Sequence, residues 1–222
     1  MNTANAGNSP SVAPPRAVIF DIGRVIVRVN IARALAMVGG GAAACTPEQI
    51  WSAIEADALW DDWEKGKVEP REWYRHLASK FDSPLDFDAF AEAWCSVLDP
   101  TPIIGDELFR ELSARCRLGL LSNTDVLHVA YMEKNFSFVR FFPVRIYSCS
   151  VGMCKPAPEI YEHCLQQLGV AAPDALFLDD REANIRAAKA LGLSAVLFAD
   201  AASASLEIER RFALPAPDSR QR

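Results

Sequence analysis

Three short apolar runs along the chain end abruptly in polar residues. Ala17-Val18-Ile19-Phe20 meets Asp21, Leu118-Gly119-Leu120-Leu121 meets Ser122-Asn123-Thr124, and Ala175-Leu176-Phe177-Leu178 meets Asp179-Asp180. A four-residue apolar run without alternation marks a strand buried on both faces, as in a parallel sheet. A fourth run, over 194–198, ends at Ala199-Asp200, and a weaker one surrounds Ile146. Between these runs the spacing turns helical. Helices are predicted from Thr101-Pro102 toward Cys116, over 125–134, over 157–168 with Gly169 as the stop, and over 182–191 with Gly192 as the stop. Strand alternating with helix predicts an α/β fold: a doubly wound, Rossmann-like parallel sheet.

The segment 30–100 breaks this rhythm, because it contains no strand-like run. Gly39-Gly40-Gly41 interrupts it early. Thr46-Pro47-Glu48-Gln49 then reads as a capping box, a specific helix start. Glu69-Pro70 and Ser83-Pro84 divide the rest, and Trp51, Trp60, Trp63, Trp73, Tyr74, Phe87, Phe90 and Trp94 are concentrated here. These features predict an inserted small all-helical domain with its own core. The expected organisation is a flexible N-terminal arm over 1–15, a core from 16–29 and 101–213, a helical insert over 30–100 and a flexible tail over 214–222.

Composition narrows the function classes. With 222 residues and 50% apolar content the chain can form a core with an insert. A formal charge of −6 argues against a nucleic-acid surface. No stretch approaches the ~18 apolar residues of a membrane span. The first residues lack the apolar segment of a secretory signal, so a cytoplasmic location is expected. The six cysteines, Cys45, Cys95, Cys116, Cys149, Cys154 and Cys164, form no C-x-x-C pair and read as reduced, mostly buried thiols. The spacing of Cys149, Cys154, His163 and Cys164 fits no common zinc pattern.

Ligands of an open parallel sheet bind beyond the carboxyl ends of its strands. Asp21, Ser122 with Asn123, and Asp179 with Asp180 are therefore candidates for one shared site. Lys155 joins them from the turn Val151-Gly152-Met153-Cys154-Lys155-Pro156. Taken singly, each has a bland reading as a turn, cap or surface residue. Taken together they suit phosphoryl chemistry. Neighbouring carboxylates need a cation between them, and Mg²⁺ takes one or two carboxylates plus substrate phosphate. Lys155 and Ser122 can hold phosphate oxygens, leaving Asp21 free to attack phosphorus in line.

The set, in order, resembles the haloacid dehalogenase superfamily. The motifs are Val18-Ile19-Phe20-Asp21-Ile22-Gly23-Arg24-Val25-Ile26, Leu120-Leu121-Ser122-Asn123-Thr124, Gly152-Met153-Cys154-Lys155-Pro156-Ala157-Pro158, and Phe177-Leu178-Asp179-Asp180 with Asn184. The resemblance spans 16–200, and segment 30–100 resembles that family's helical cap. By pattern the nearest members look like α-glucose-1-phosphatase-like enzymes and the N-terminal phosphatase domain of soluble epoxide hydrolase. It implies a Mg²⁺-dependent phosphatase of small phosphomonoesters, with a sugar phosphate such as a hexose 1-phosphate favoured. Asp21 would be the nucleophile and a metal ligand, with the Gly23 carbonyl and Asp180 as the other ligands. Ser122, Asn123 and Lys155 would bind the phosphoryl group, and Asp179 and Asn184 would support the metal shell.

Two positions depart from the pattern. Many phosphatases of the superfamily carry a second Asp two residues after the nucleophile as general acid and base, and here that residue is Gly23. Arg24 stands where relatives more often have a small or amide residue, and is expected to point outward. Alternative readings are a 2-haloacid dehalogenase, a non-catalytic binding module, and a phosphotransferase or phosphomutase. Trp60, Trp63 and Glu64 lie where an aromatic face could stack on a sugar, although tryptophans of a small helical domain are more often core. His76 and His128 read as surface or packing residues rather than catalytic bases.

Overall fold

The register of the central strands sets where every functional side chain emerges. In the computed structural model, which describes residues 14–33 and 45–212, five strands form one parallel sheet. In chain order they are β1 (Ala17–Phe20), β4 (Arg117–Ser122), β5 (Val144–Tyr147), β6 (Ala175–Asp179) and β7 (Ser194–Leu197), arranged β5-β4-β1-β6-β7. Phe20 lies level with Leu120 on one side and Leu178 on the other. The chain therefore leaves β1 at Asp21, level with the last residue of β6. The glycine run at 39–41, the C-terminal tail and residues 1–13 of the N-terminal arm lie outside the described residues.

Alternate residues of each strand feed two cores. Val18, Phe20, Leu118, Leu120, Leu176 and Leu178 pack on one face; Ala17, Ile19, Leu121, Ala175 and Phe177 pack on the other. Helices α5 (Asp106–Ser113), α6 (Val126–Asn135), α7 (Ser148–Val151), α8 (Pro158–Leu168), α9 (Glu182–Ala190) and α10 (Ala201–Phe212) complete the α/β alternation. Gly169, with φ +62°, ends α8 in the left-handed conformation that glycine adopts at least cost.

Two elements differ from expectation. Thr101 and Pro102 do not open a helix. They end strand β3 (Leu98–Pro102), which pairs antiparallel with β2 (Val27–Val29), and α5 begins only at Asp106. Proline is tolerated on the free edge of a two-stranded ribbon, and three-residue β2 is too short to show a period. The ribbon also joins the two stems of the helical insert, since Val29 pairs with Leu98.

Four helices occupy the insert: α1 (Pro47–Glu55), α2 (Trp60–Glu64), α3 (Pro70–Phe81) and α4 (Phe87–Cys95). Both halves of the Thr46–Gln49 capping box are formed. Trp63, Trp73, Trp94 and Phe90 fill the centre, with Trp63 and Trp73 stacked at 5.3 Å. Such a ring cluster buries more apolar area per residue than aliphatic side chains can. It leaves the indole N–H groups of Trp51, Trp63 and Trp73 without a partner.

Two of the contacts that fasten the insert to the core are specific to their residue types. Gly66, just past α2, has φ +69°, and a Cβ there would lie 2.2 Å from the Cys149 carbonyl oxygen. Only a glycine permits that approach. The second joins a charged pair at the start of α6 to Trp94 of the insert. Asp125 caps α6 by accepting from the Leu127 and His128 backbone N–H groups. Its carboxylate also meets His128 Nδ1 at 2.7 Å and accepts from Trp94 Nε1 at 3.0 Å. His128 Nε2 faces the Trp94 carbonyl at 3.0 Å. Both ring nitrogens thus face acceptors, and only the doubly protonated imidazolium satisfies both. The ring also stacks on Trp94 at 5.4 Å, where a cation is attracted by the indole face.

Burial opposes charge on both partners, yet each holds the other charged: His128 is raised above its usual value and Asp125 is lowered. The Asp125 contribution to stability is present above its unfolded pKa and lost as pH falls through its depressed folded value. The His128 contribution is full below its unfolded pKa and lost as pH rises through its raised folded value. Urea unfolding followed across pH should show stability declining on the alkaline side, and His128→Gln should remove that decline. An unchanged alkaline limb in His128→Gln would refute the ionic latch.

Candidate active site

Every site residue expected from the sequence meets at the carboxyl end of the sheet. A cavity of ≈ 150 Å³ there is lined by Asp21, Gly23, Ser122, Asn123, Lys155, Asp180 and Asn184, among others. Asp179 sits beneath it, fully buried. Ligand atoms of Asp21, Asp179 and Asp180 lie within 4.8 Å of one another, the one such acidic group found among the described residues.

Lys155 organises the floor. Its side chain is 2% exposed, and Nζ donates to Asp21 Oδ1 at 2.8 Å and to Asp179 Oδ2 at 2.6 Å. Asn123 fixes the lysine backbone from both sides: its Oδ1 accepts from Lys155 N at 2.8 Å, and its Nδ2 donates to Lys155 O at 2.9 Å. The Asn123 side chain thus positions Lys155. Asp179 is fully engaged, because its oxygens also accept from the Arg181 N–H and from Asn184 Nδ2. Asp180 differs. It is half-buried and makes no hydrogen bond or ion pair among the described residues.

Charge in this cluster does not balance. Three carboxylates face one ammonium, a formal excess of two negative charges. Burial, and then the nearby Asp179 charge, push Asp21 up to about 6 despite the attraction of Lys155. Burial and Asp179 also raise Asp180, against the pull of Arg24, Arg181 and Lys155. Burial opposes the Lys155 ammonium, but Asp21 and Asp179 outweigh it and raise its pKa. A divalent cation held by the unengaged oxygens of Asp21 and Asp180 would cancel the excess. An all-oxygen donor set of this kind suits a hard ion.

The loop after β1 is shaped by an unexpected residue. Gly23 does not take a positive φ; Arg24 does, at +60°, a conformation that costs a non-glycine residue roughly 1–2 kcal/mol. Arg24 is exposed at the cavity rim, close enough to Asp180 to act on its charge. Of the tryptophans, Trp63 is packed away in the insert core, whereas Trp51 and Trp60 reach the cavity wall. Glu55, Glu64 and Arg181 also line it. Glu55 and Arg181 were not singled out in the sequence, where they look like ordinary surface charges. His76 pairs with Asp57 at 2.9 Å, away from the cavity. The cysteines are free thiols and form no metal cluster among the described residues.

Residues 15–192 match the family of haloacid dehalogenase-like hydrolases. The sesquiterpene phosphatase astK of Aspergillus oryzae is 27% identical over 153 residues, covering 68% of this chain and 78% of that protein. The bifunctional epoxide hydrolase 2 of Rattus norvegicus is 41% identical over 69 residues, 31% of this chain but only 12% of that longer protein. A haloacid dehalogenase family enzyme from Bacteroides thetaiotaomicron, solved in complex with magnesium and inorganic phosphate, superposes with a TM-score of 0.73. It is 23% identical and covers 84% of this chain and 96% of that one.

Lys155 is the partner on which two buried carboxylates depend. Lys155→Met should lower unfolding stability by roughly 3–5 kcal/mol, the cost of leaving buried charge unpaired. The readout is the urea midpoint at neutral pH without divalent ions. A loss under about 1 kcal/mol would show that water or a neighbour already neutralises the pair.

Proposed function

The chain belongs to the haloacid dehalogenase-like hydrolases, and from that premise we propose that it is a Mg²⁺-dependent phosphatase acting through an aspartyl-phosphate on Asp21. The observation that carries the proposal is the convergence of Asp21, Lys155 and Asp180 on one cavity with two uncompensated negative charges. Mg²⁺ would be held by Asp21, the Gly23 carbonyl and Asp180, and would supply positive charge to the phosphoryl oxygens.

The chain's own groups would perform the rest. Asp21 attacks phosphorus in line with the departing oxygen, and the P–O bond to the alcohol breaks as the bond to Asp21 forms. Lys155 offsets phosphoryl charge while holding the Asp21 carboxylate in place. Ser122 and the Asn123 N–H donate to the remaining phosphoryl oxygens. Asp179 and Asn184 keep Lys155 and the cluster in register, as supporting residues do around metal sites. Water then attacks the aspartyl-phosphate and frees Asp21.

The segment 30–100 would act as a cap over the core formed by 16–29 and 101–213, excluding water during the reaction. The favoured substrate is a small phosphorylated metabolite, with a hexose 1-phosphate first among those to test. Trp51 and Trp60 offer aromatic faces on which a sugar can stack, and Glu55 and Arg181 can meet hydroxyl groups. No helix of the described residues is long and apolar enough to cross a membrane, and a cytoplasmic site of action is proposed.

Purified protein with Mg²⁺ should release phosphate from a panel of small monoesters, with hexose 1-phosphates ahead of 6-phosphates. Chelation of the metal or Asp21→Asn should abolish release. Mg²⁺ should raise the melting temperature of the wild type and fail to do so in Asp180→Asn. Turnover that survives Asp21→Asn would overturn the aspartyl-phosphate mechanism.

A further inference from the structure

We propose that Glu64, presented by the helical insert, is the proton donor to the leaving-group oxygen, the task left open by Gly23. The inference rests on the phosphatase reading above. Gly23 carries no side chain, so a proton donor belonging to the protein has to stand elsewhere in the cavity. The acids lining it are Asp21, Glu55, Glu64, Asp125 and Asp180.

Four of these are committed. Asp21 is the nucleophile and Asp180 the cation ligand. Asp125 is bound to His128, to Trp94 and to the first turn of α6. His128 itself has both ring nitrogens engaged. Glu55 is exposed and paired with Arg181 at 3.4 Å. The Glu64 carboxyl remains. It is half-buried and makes no hydrogen bond or ion pair among the described residues.

Its position is fixed by the sheet rather than by the insert alone. The Ser148 hydroxyl lies 2.7 Å from the Glu64 carbonyl oxygen and also accepts from the Thr124 N–H at 2.8 Å. Thr124 follows directly on Ser122 and Asn123. Gly66, two residues on from Glu64, packs so close to the Cys149 backbone that a Cβ there would lie 2.2 Å from its carbonyl oxygen. Glu64 is thus anchored to the loop that carries the phosphate-binding residues, which is the preorganisation a proton donor requires.

The protonation state agrees with the task. Burial pushes Glu64 up to about 7, with the negative charges of Asp125 and Glu55 adding to the rise and Arg181 and Lys155 opposing it. The Glu64 charge in turn acts on the nearby Cys154 thiol. A donor with a pKa near the working pH is the most effective kind.

The step balances. As the Asp21–phosphorus bond forms and the ester P–O bond breaks, Glu64 gives its proton to the departing alkoxide, yielding neutral alcohol and the Glu64 carboxylate. That carboxylate then takes a proton from the attacking water while the phosphorus–Asp21 bond breaks. Phosphate leaves, and Glu64 is again protonated.

The test compares two esters with Mg²⁺ present: 4-nitrophenyl phosphate, whose leaving group departs without a proton, and phenyl phosphate, whose leaving group is a stronger base. Glu64→Gln should lower kcat/KM for phenyl phosphate by roughly 10²–10⁴-fold, and for 4-nitrophenyl phosphate by less than about tenfold. The fall in wild-type kcat above neutral pH should disappear in the variant. Gly23→Asp should restore phenyl phosphate turnover in the Glu64→Gln background, because a Cβ at residue 23 meets Val29 Cγ2 at an ordinary 3.7 Å. Equal losses on the two esters, or no loss on phenyl phosphate, would overturn the assignment. Failure of the wild type to hydrolyse either ester, or activity retained in Asp21→Asn, would instead strike the phosphatase reading itself.

Discussion

Lys155 Nζ lies between two carboxylates that the sheet register forces together. Asp21 leaves β1 level with Asp179 at the end of β6, and neither can move without shifting a strand. Bringing the two acids into a buried site is unfavourable until a cation stands between them. Lys155 meets that need only in part, since Asp180 adds a third carboxylate. The surrounding structure follows from this constraint. Asn123 holds the lysine backbone, Asn184 and the Arg181 N–H donate hydrogen bonds to Asp179, and Asp180 is left without a hydrogen-bond or ion-pair partner among the described residues. The cluster is stable enough to fold and still short of positive charge, which is the condition for taking up a cation and an anionic ester together.

The same logic separates what the sequence discloses from what it conceals. Asp21, Ser122, Asp179 and Asp180 were legible because a buried parallel strand has a plain signature: an apolar run that stops at one residue. Helices α8 and α9 were legible through the stop glycines Gly169 and Gly192, which act within one turn of chain. The β2–β3 ribbon was not, because Val27–Val29 is too short to show a period and prolines dominate β3. Lys155 looked like a surface residue until placed beside the strand ends. Its burial depends on partners 134 and 24 residues away. Long-range pairing of that kind leaves no local trace.

The Asp125–His128 pair shows the limit most clearly. In the sequence Asp125 only opens a predicted helix, and His128 reads as a surface or packing residue. Both descriptions are true, yet they miss the Trp94 indole and carbonyl that complete the set. Trp94 belongs to the helical insert, whereas Asp125 begins the helix after the Ser122-Asn123-Thr124 turn. One residue therefore caps α6, holds a cation and ties the insert to the core. A substitution there would act on stability and on cap position at once, so effects on turnover at Asp125 cannot be read as chemistry without a parallel stability measurement.

Glu64 takes its character from the same coupling. On an isolated helix, the carboxyl at the end of Trp60-Asp61-Asp62-Trp63-Glu64 would be an ordinary surface acid. Docking α2 against the start of α7 at Ser148 and Cys149 removes water from one side of it and sets it among Asp125, Glu55, Arg181 and Lys155. Opening the insert would return water to the carboxyl and lower its pKa, because desolvation is the largest cause of the shift. The proton donor would then be competent only when the cap is closed. Proton transfer and exclusion of bulk water would thus be tied to one conformation: the carboxyl would ionise while the insert is open and would hold a proton to give only when it is closed.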